Sequence, residues 1–233
     1  MKHALLVSIL ILLLPGFAFT QGVSCPAVIA GPDTTLNCND CVLLHAEPVS
    51  GFTTTTYNVQ SIPYSPYPFN AGNSILVNID DVWGTALPIG FNFCFYGNSY
   101  NQCVVGSNGV VSFDLSYASG YCAWPITQGI PGNTDVLNSI LGPLHDIDPS
   151  VGGSIYWSQY GQAPCRVFVC SFYQIPMYSC NNLIATQQIV LYETTNIIEV
   201  YIQNKPTCAG WNSGAAIEGI QNANGTQAVV VPG

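Results

Sequence analysis

Residues 87–113, LPIGFNFCFYGNSYNQCVVGSNGVVSF, leave this chain little choice of fold. Within 89–96 the pattern repeats every second residue: Phe91, Phe93 and Phe95 fall on one face, Asn92, Cys94 and Tyr96 on the other. That period marks a half-buried strand, because successive side chains of an extended chain point to opposite sides. Gly97-Asn98-Ser99-Tyr100 turns the chain into a second strand over 101–106, and Asn108-Gly109 turns it into a third over 110–113. Asn-Gly is the strongest short hairpin signal, since both central positions of a type I′ turn need positive φ. Such a meander buries its Phe rings only where a second sheet or further strands cover them.

The rest of the chain supplies those strands. Further β-type runs fall at 53–60, 75–79, 153–160, 166–174, 187–192, 197–203, 215–221 and 227–231, with turns at Thr194-Thr195-Asn196 and Asn224-Gly225. Pro63, Pro66 and Pro68 lack an amide donor and make 61–72 a loop or edge segment. Residues 116–138, with Pro125, Gly129, Pro131 and Gly132, read as irregular. About a dozen short strands without a convincing helix predict an all-β chain, an antiparallel sandwich or barrel-like fold.

The N-terminus predicts export. A basic head, Met1-Lys2-His3, precedes an apolar run over 4–14, a Pro15-Gly16 break and the small residues Ala18 and Thr20. This is the layout of a secretory signal over 1–20; a membrane span needs about 20 apolar residues, and no other run is long enough. Gly22-Val23-Ser24 before Cys25 is a poor lipobox. All 10 cysteines lie beyond the signal, and an even count in an exported chain predicts a disulfide framework. Cys38 and Cys41 have zinc-ligand spacing but no second such pair. Residues 21–50, with Cys25, Cys38 and Cys41, read as a small Cys-rich segment, and 51–233 as the main β domain. The chain stops directly after a strand, which suggests the front of a longer protein.

Charge excludes whole classes of partner. Charged residues make up 6% of the chain, and beyond the signal the basic residues are Arg166 and Lys205 alone. Nucleic acid needs a basic patch to neutralise phosphates, and anionic membrane surfaces need the same. A surface of amide and hydroxyl groups suits an extracellular glycan or protein ligand, or another copy of the chain. It is also what a neutral β surface looks like.

Candidate chemistry is sparse. Asp146 and Asp148 in an extended segment point the same way and could grip Ca²⁺, with Asp80 and Asp81 adding ligands. The competing reading is that both cap turns, with Pro149 setting the next φ. Beyond the signal only His45 and His145 remain, and neither GxSxG nor HExxH occurs. A carboxylate pair for glycoside hydrolysis would have to join Asp146 to Glu193, Glu199 or Glu218. No catalytic activity is expected. Tyr64, Tyr67 and Trp124 lie in loops and are candidate ligand-contact aromatics, although most aromatics in such a chain pack the core. A four-residue loop over 97–100 places Cys94 opposite Cys103 as a disulfide within the hairpin. A two-residue loop at Gly97-Asn98 places Cys94 opposite Asn101 instead.

The runs FNFCFYG…VVGSNGVVSF, LGPLHDIDPSVGGSIYW, ATQQIVLYETTNIIEVYIQN and AAIEGIQNANG, in that order, form a layout. It resembles the first module of large secreted Bacteroidota surface proteins, those ending in gliding-motility-associated or type IX sorting domains. More distantly it is similar to the nidogen-like extracellular domain. The resemblance spans 75–233 and implies a β-rich extracellular module of adhesive type without catalytic apparatus. Three functions follow as expectations: an adhesion or binding module, a self-associating subunit of a surface layer or fibre, and, least favoured, a secreted hydrolase.

Overall fold

The computed structural model describes residues 28–30, 35–36, 42–43, 46–48, 53–76 and 78–232. The expected signal over 1–20 and the cysteines at 25, 38 and 41 lie outside them. Short strands β1 (Val28–Ala30) and β2 (Ala46–Pro48) pair with each other. The main body carries β3 (Asn73–Ile75), β4 (Leu87–Phe95), β5 (Asn98–Gly106), β6 (Val110–Ser112), β7 (Ser139–Leu144) and β8 (Ser154–Tyr160). It continues through β9 (Val167–Met177), β10 (Cys180–Tyr192), β11 (Ile198–Asn204), β12 (Ile217–Gln221) and β13 (Ala228–Val230). Helical structure among the described residues is limited to three 3₁₀ turns of 3 residues each.

Two antiparallel sheets result. One has 5 strands in the order β11-β10-β9-β8-β3, the other 6 in the order β13-β12-β7-β6-β5-β4. The all-β sandwich expectation holds. Alternation in β4 decides which face is inside: Leu87, Ile89, Phe91, Phe93 and Phe95 are buried, while Pro88 and Asn92 are exposed. From the other sheet Phe168, Cys170, Phe172, Ile189 and Leu191 meet them in one core. Each large side chain removed from water contributes about 1.5–3 kcal/mol, so the sheets are held mainly by this layer.

Both outer faces are covered as well. On the six-stranded sheet, Trp83 stacks on Tyr117 and packs with Val104, Val110 and Cys122. A Cβ at Gly106 would sit 2.5 Å from Cys122 Sγ and 3.1 Å from Trp83, so only glycine admits that cover. On the five-stranded sheet the proline-rich 61–69 segment lies over Val169, Val190 and Tyr201, and Gln188 holds the backbone of Tyr67 by both its amide and its carbonyl.

Two turns differ from expectation, and both differences have tertiary causes. The β4–β5 hairpin turns at Tyr96-Gly97, both at positive φ (45° and 81°), so Phe95 faces Asn98 and Cys94 faces Ser99. The expected Cys94–Cys103 bridge is therefore not formed. Both are free thiols: Cys103 lies opposite Leu87 in the core, whereas half-buried Cys94 exchanges hydrogen bonds with the backbone of Thr54. The 53–60 segment, expected as a strand, is what selects this turn. Its Thr54 carbonyl accepts from the Gly97 amide at 2.7 Å, and its Tyr57 ring packs 4.9 Å from Tyr96.

The β5–β6 hairpin is the second case. Gly106 pairs with Val110, leaving a three-residue loop in which Gly109 alone has positive φ (85°). That is the turn-plus-bulge geometry rather than type I′. Asn108 stays out of the left-handed region, and its amide is used elsewhere.

Candidate functional site

At one end of the sandwich the β5–β6 turn, the segment after β7, the β9–β10 turn and the loop after β11 meet. Asn108 joins them. Its side-chain carbonyl accepts from the Ile147 amide (3.2 Å), and its NH₂ donates to Asp81 Oδ1 (2.9 Å) and the Cys122 carbonyl (3.1 Å). The backbone repeats the link, for His145 N donates to the Asn108 carbonyl and Cys122 N to the Asp81 carbonyl. Asp80 and Asp81 are thereby brought within electrostatic range of Asp146 and Asp148.

Each carboxylate has a distinct setting. Asp146 is 4% exposed; its Oδ2 accepts from Trp211 Nε1 at 2.7 Å, and its Oδ1 is buried without a hydrogen-bond partner. Burial, and then the charges of Asp81 and Asp148, push its carboxyl up to about 6. Asp80 is pushed up to about 7 by burial and by its acidic neighbours, Asp81 first. Asp81 is raised by burial, with the Asn108 bond opposing. Asp148 Oδ1 accepts from Ser150 N and Ser150 Oγ, the turn-capping arrangement. Among the described residues no three acidic, His or Cys side chains are disposed to hold a metal ion.

Aromatic rings flank the acids. Trp211 lies 5.2 Å from Trp124 and 4.8 Å from Tyr178, centroid to centroid. Tyr121, 62% exposed, feels the charges of Asp81 and Asp146. The loop that carries Trp211 is anchored by the Cys180–Cys208 disulfide and by Trp211 N donating to the Cys208 carbonyl. Carboxylate acceptors beside aromatic faces are suited to hydroxyl-rich ligands, which stack on rings and donate hydrogen bonds.

The expected aromatics do not form one surface. Trp124 belongs to this end, whereas Tyr64 stands edge-on to Tyr201 and Tyr67 stacks on Tyr160 over the outer face of the five-stranded sheet. Trp211, Tyr178 and Tyr121 were not singled out from the sequence, and Asn108 was read there only as a turn residue. The one local hint was the Trp three residues beyond Cys208.

Two of the carboxylates weighed for hydrolysis, Glu193 and Glu199, are engaged elsewhere. Glu193 accepts from the Arg166 guanidinium and backbone, and Glu199 from the hydroxyls of Tyr192 and Tyr201. His145 is wholly buried, bonded through Nε2 to Gln187, and burial lowers its pKa to about 3, so it is neutral.

No helix among the described residues is long and apolar enough to cross a membrane. Comparison with curated proteins and with solved structures found no match. A model of the family described as NIDO related matches residues 53–232, a span that takes in both sheets and the acidic end. The nidogen-like likeness is supported by that match, and an extracellular-type domain with a disulfide fits an extracellular location. The chain belongs to the NIDO-related family.

Proposed function

We propose that the chain is a secreted, non-enzymatic binding module of adhesive type, which presents the acidic and aromatic end of its sandwich to an extracellular glycan. The observation that carries this reading is the grouping of Trp124, Trp211, Tyr178 and exposed Tyr121 around Asp146. Charge supports it. A net charge of −9 with 3 basic residues in the whole sequence disfavours anionic partners and leaves stacking and hydroxyl donors as the means of recognition. Surface display by a bacterium of the Bacteroidota type belongs to the same reading and rests on the motif order alone.

Glycan arrays followed by titration calorimetry test it. Tyr121→Ala and Trp124→Ala should each weaken the selected glycan by about 10-fold, the scale of losing one stacking contact. Tyr64→Ala, over the opposite sheet, should leave affinity unchanged. Equal affinity in all three variants sinks the reading. A self-associating structural subunit is the second reading, favoured by the 6% charged content; concentration-dependent growth in sedimentation velocity would select it.

A further inference from the structure

We propose that Cys103 and Cys170 form a disulfide across the core of the sandwich when the chain matures in an oxidising compartment. This goes beyond the binding reading and rests only on its extracellular part. Four described cysteines are free: Cys94, Cys103, Cys122 and Cys170. They are not equivalent. Cys94 is on the outward side of β4 against Thr54, and Cys122 lies in the cluster beneath Trp83 on the outer face of the six-stranded sheet. Cys103 and Cys170 are wholly buried in the layer between the sheets, Cys103 alongside Val105 on β5 and Cys170 between Phe168 and Phe172 on β9.

The strand registers bring the two together. Cys103 is opposite Leu87, and the carbonyl of the next residue, Pro88, accepts from Gln159 Nε2 at 3.0 Å. Gln159 is opposite Phe168, two residues before Cys170 on the same face of β9. Gly90 presses on the same Gln159 side chain, where a Cβ would come within 2.6 Å, and its carbonyl accepts from Arg166. The edge of one sheet is thus tied to the other within two residues of both cysteines. Burial, and after it the nearness of Cys103, raises the Cys170 thiol. Immunoglobulin-type sandwiches close their cores with an inter-sheet disulfide of this kind.

The chemistry places bond formation early. Burial pushes the Cys103 thiol up to about 12 and the Cys170 thiol well above its ordinary value, so neither is an effective nucleophile in the closed core. In the folding chain, one thiolate attacks the disulfide of an oxidant such as oxidised glutathione or a dithiol oxidase, expelling one thiol. The second thiolate then attacks the mixed disulfide and expels the other. Two protons and two electrons pass from the cysteine pair to the oxidant. Closing this long loop raises Tm by on the order of 10 °C over the reduced chain.

The test uses the full chain secreted into an oxidising compartment, denatured, alkylated with N-ethylmaleimide and mapped without reduction. A peptide containing Cys103 linked to one containing Cys170 is expected. Alkylation of both, or linkage of either to another cysteine, overturns the pairing. Cys180–Cys208 in the same digest tells which reading has then failed: intact, it is the pairing; reduced, it is the extracellular compartment. Thiol counting on Cys170→Ala in guanidinium needs no native fold. The count rises by one if Cys103 has lost a partner, and falls by one if both were free.

Discussion

Between the sheets, Phe93, Phe95, Phe168 and Phe172 are wholly buried in one apolar cluster. At the acidic end Asp146 is nearly as buried, yet one of its oxygens has no partner and its neighbours carry the same charge. The first region is held by area removed from water, a force without direction. The second is held by single directed bonds, Trp211 to Asp146 and Asn108 to Asp81 and Ile147, acting against repulsion. A fold maintains such an end only because the adjacent core positions it. Where stability is given up in this way, binding is a common reason.

Substitutions separate the two regions by size of effect. Phe93→Ala empties a wholly buried site in the core and should cost about 3–5 kcal/mol in urea unfolding; a cost under about 1 kcal/mol would mean that the sheets are held by something else. Asn108→Ala removes the residue that links the turn to the acids and leaves the Ile147 amide and the Cys122 carbonyl without those partners. A cost of about 2 kcal/mol is expected, together with quenching changes at Trp124 and Trp211 that Phe93→Ala does not produce.

Acidity provides a third separation, with a defined sign. Asp80 and Asp146 titrate near 7 and 6 in the fold but near 4 when unfolded. Their contribution is complete below about pH 4 and is lost as pH rises through 6 and 7. His145, neutral to about 3, works in the opposite direction below about 6.5. Between about pH 6.5 and 7.5, below the range in which the thiols of the unfolded chain ionise, Tm should fall in the wild type and stay flatter in Asp80→Asn. Parallel curves would remove the repulsion from the account.

The smallest expected effect is that of calcium. A hard cation offsets the same repulsion, so millimolar Ca²⁺ at pH 8 should raise Tm by a few degrees. Asp146→Asn should shrink the rise, and phenylalanine-core variants should retain it. An unchanged Tm would leave Asp146 and Asp148 as turn-forming residues alone.

Much of the sandwich was legible because its signals are local. Phe91, Phe93 and Phe95 face inward since an extended chain alternates, whatever surrounds it. The hairpins around Thr194-Asn196 and Asn224-Gly225 stand where their turn residues put them, with Thr194, Asn196 and Gly225 at positive φ. The 53–60 segment was misread as a strand because its Thr and Tyr residues suit one, whereas it serves as a strap on the β4–β5 turn.

What the chain's own order of residues determined was the all-β class, the inward face of the meander and the acidic pair at Asp146 and Asp148. Tertiary structure decided the register at Tyr96-Gly97, and with it the separation of Cys94 from Cys103. It also brought Asp80 and Asp81 to Asp146 and Asp148, and Trp211 to Trp124. The division has a physical cause. Side-chain alternation depends on the geometry of neighbouring residues, but a turn that two sequences of bonds could satisfy is chosen by the partner across it. Here those partners, Thr54 for Gly97 and Asn108 for Asp81 and Ile147, lie 27 to 43 positions away along the chain.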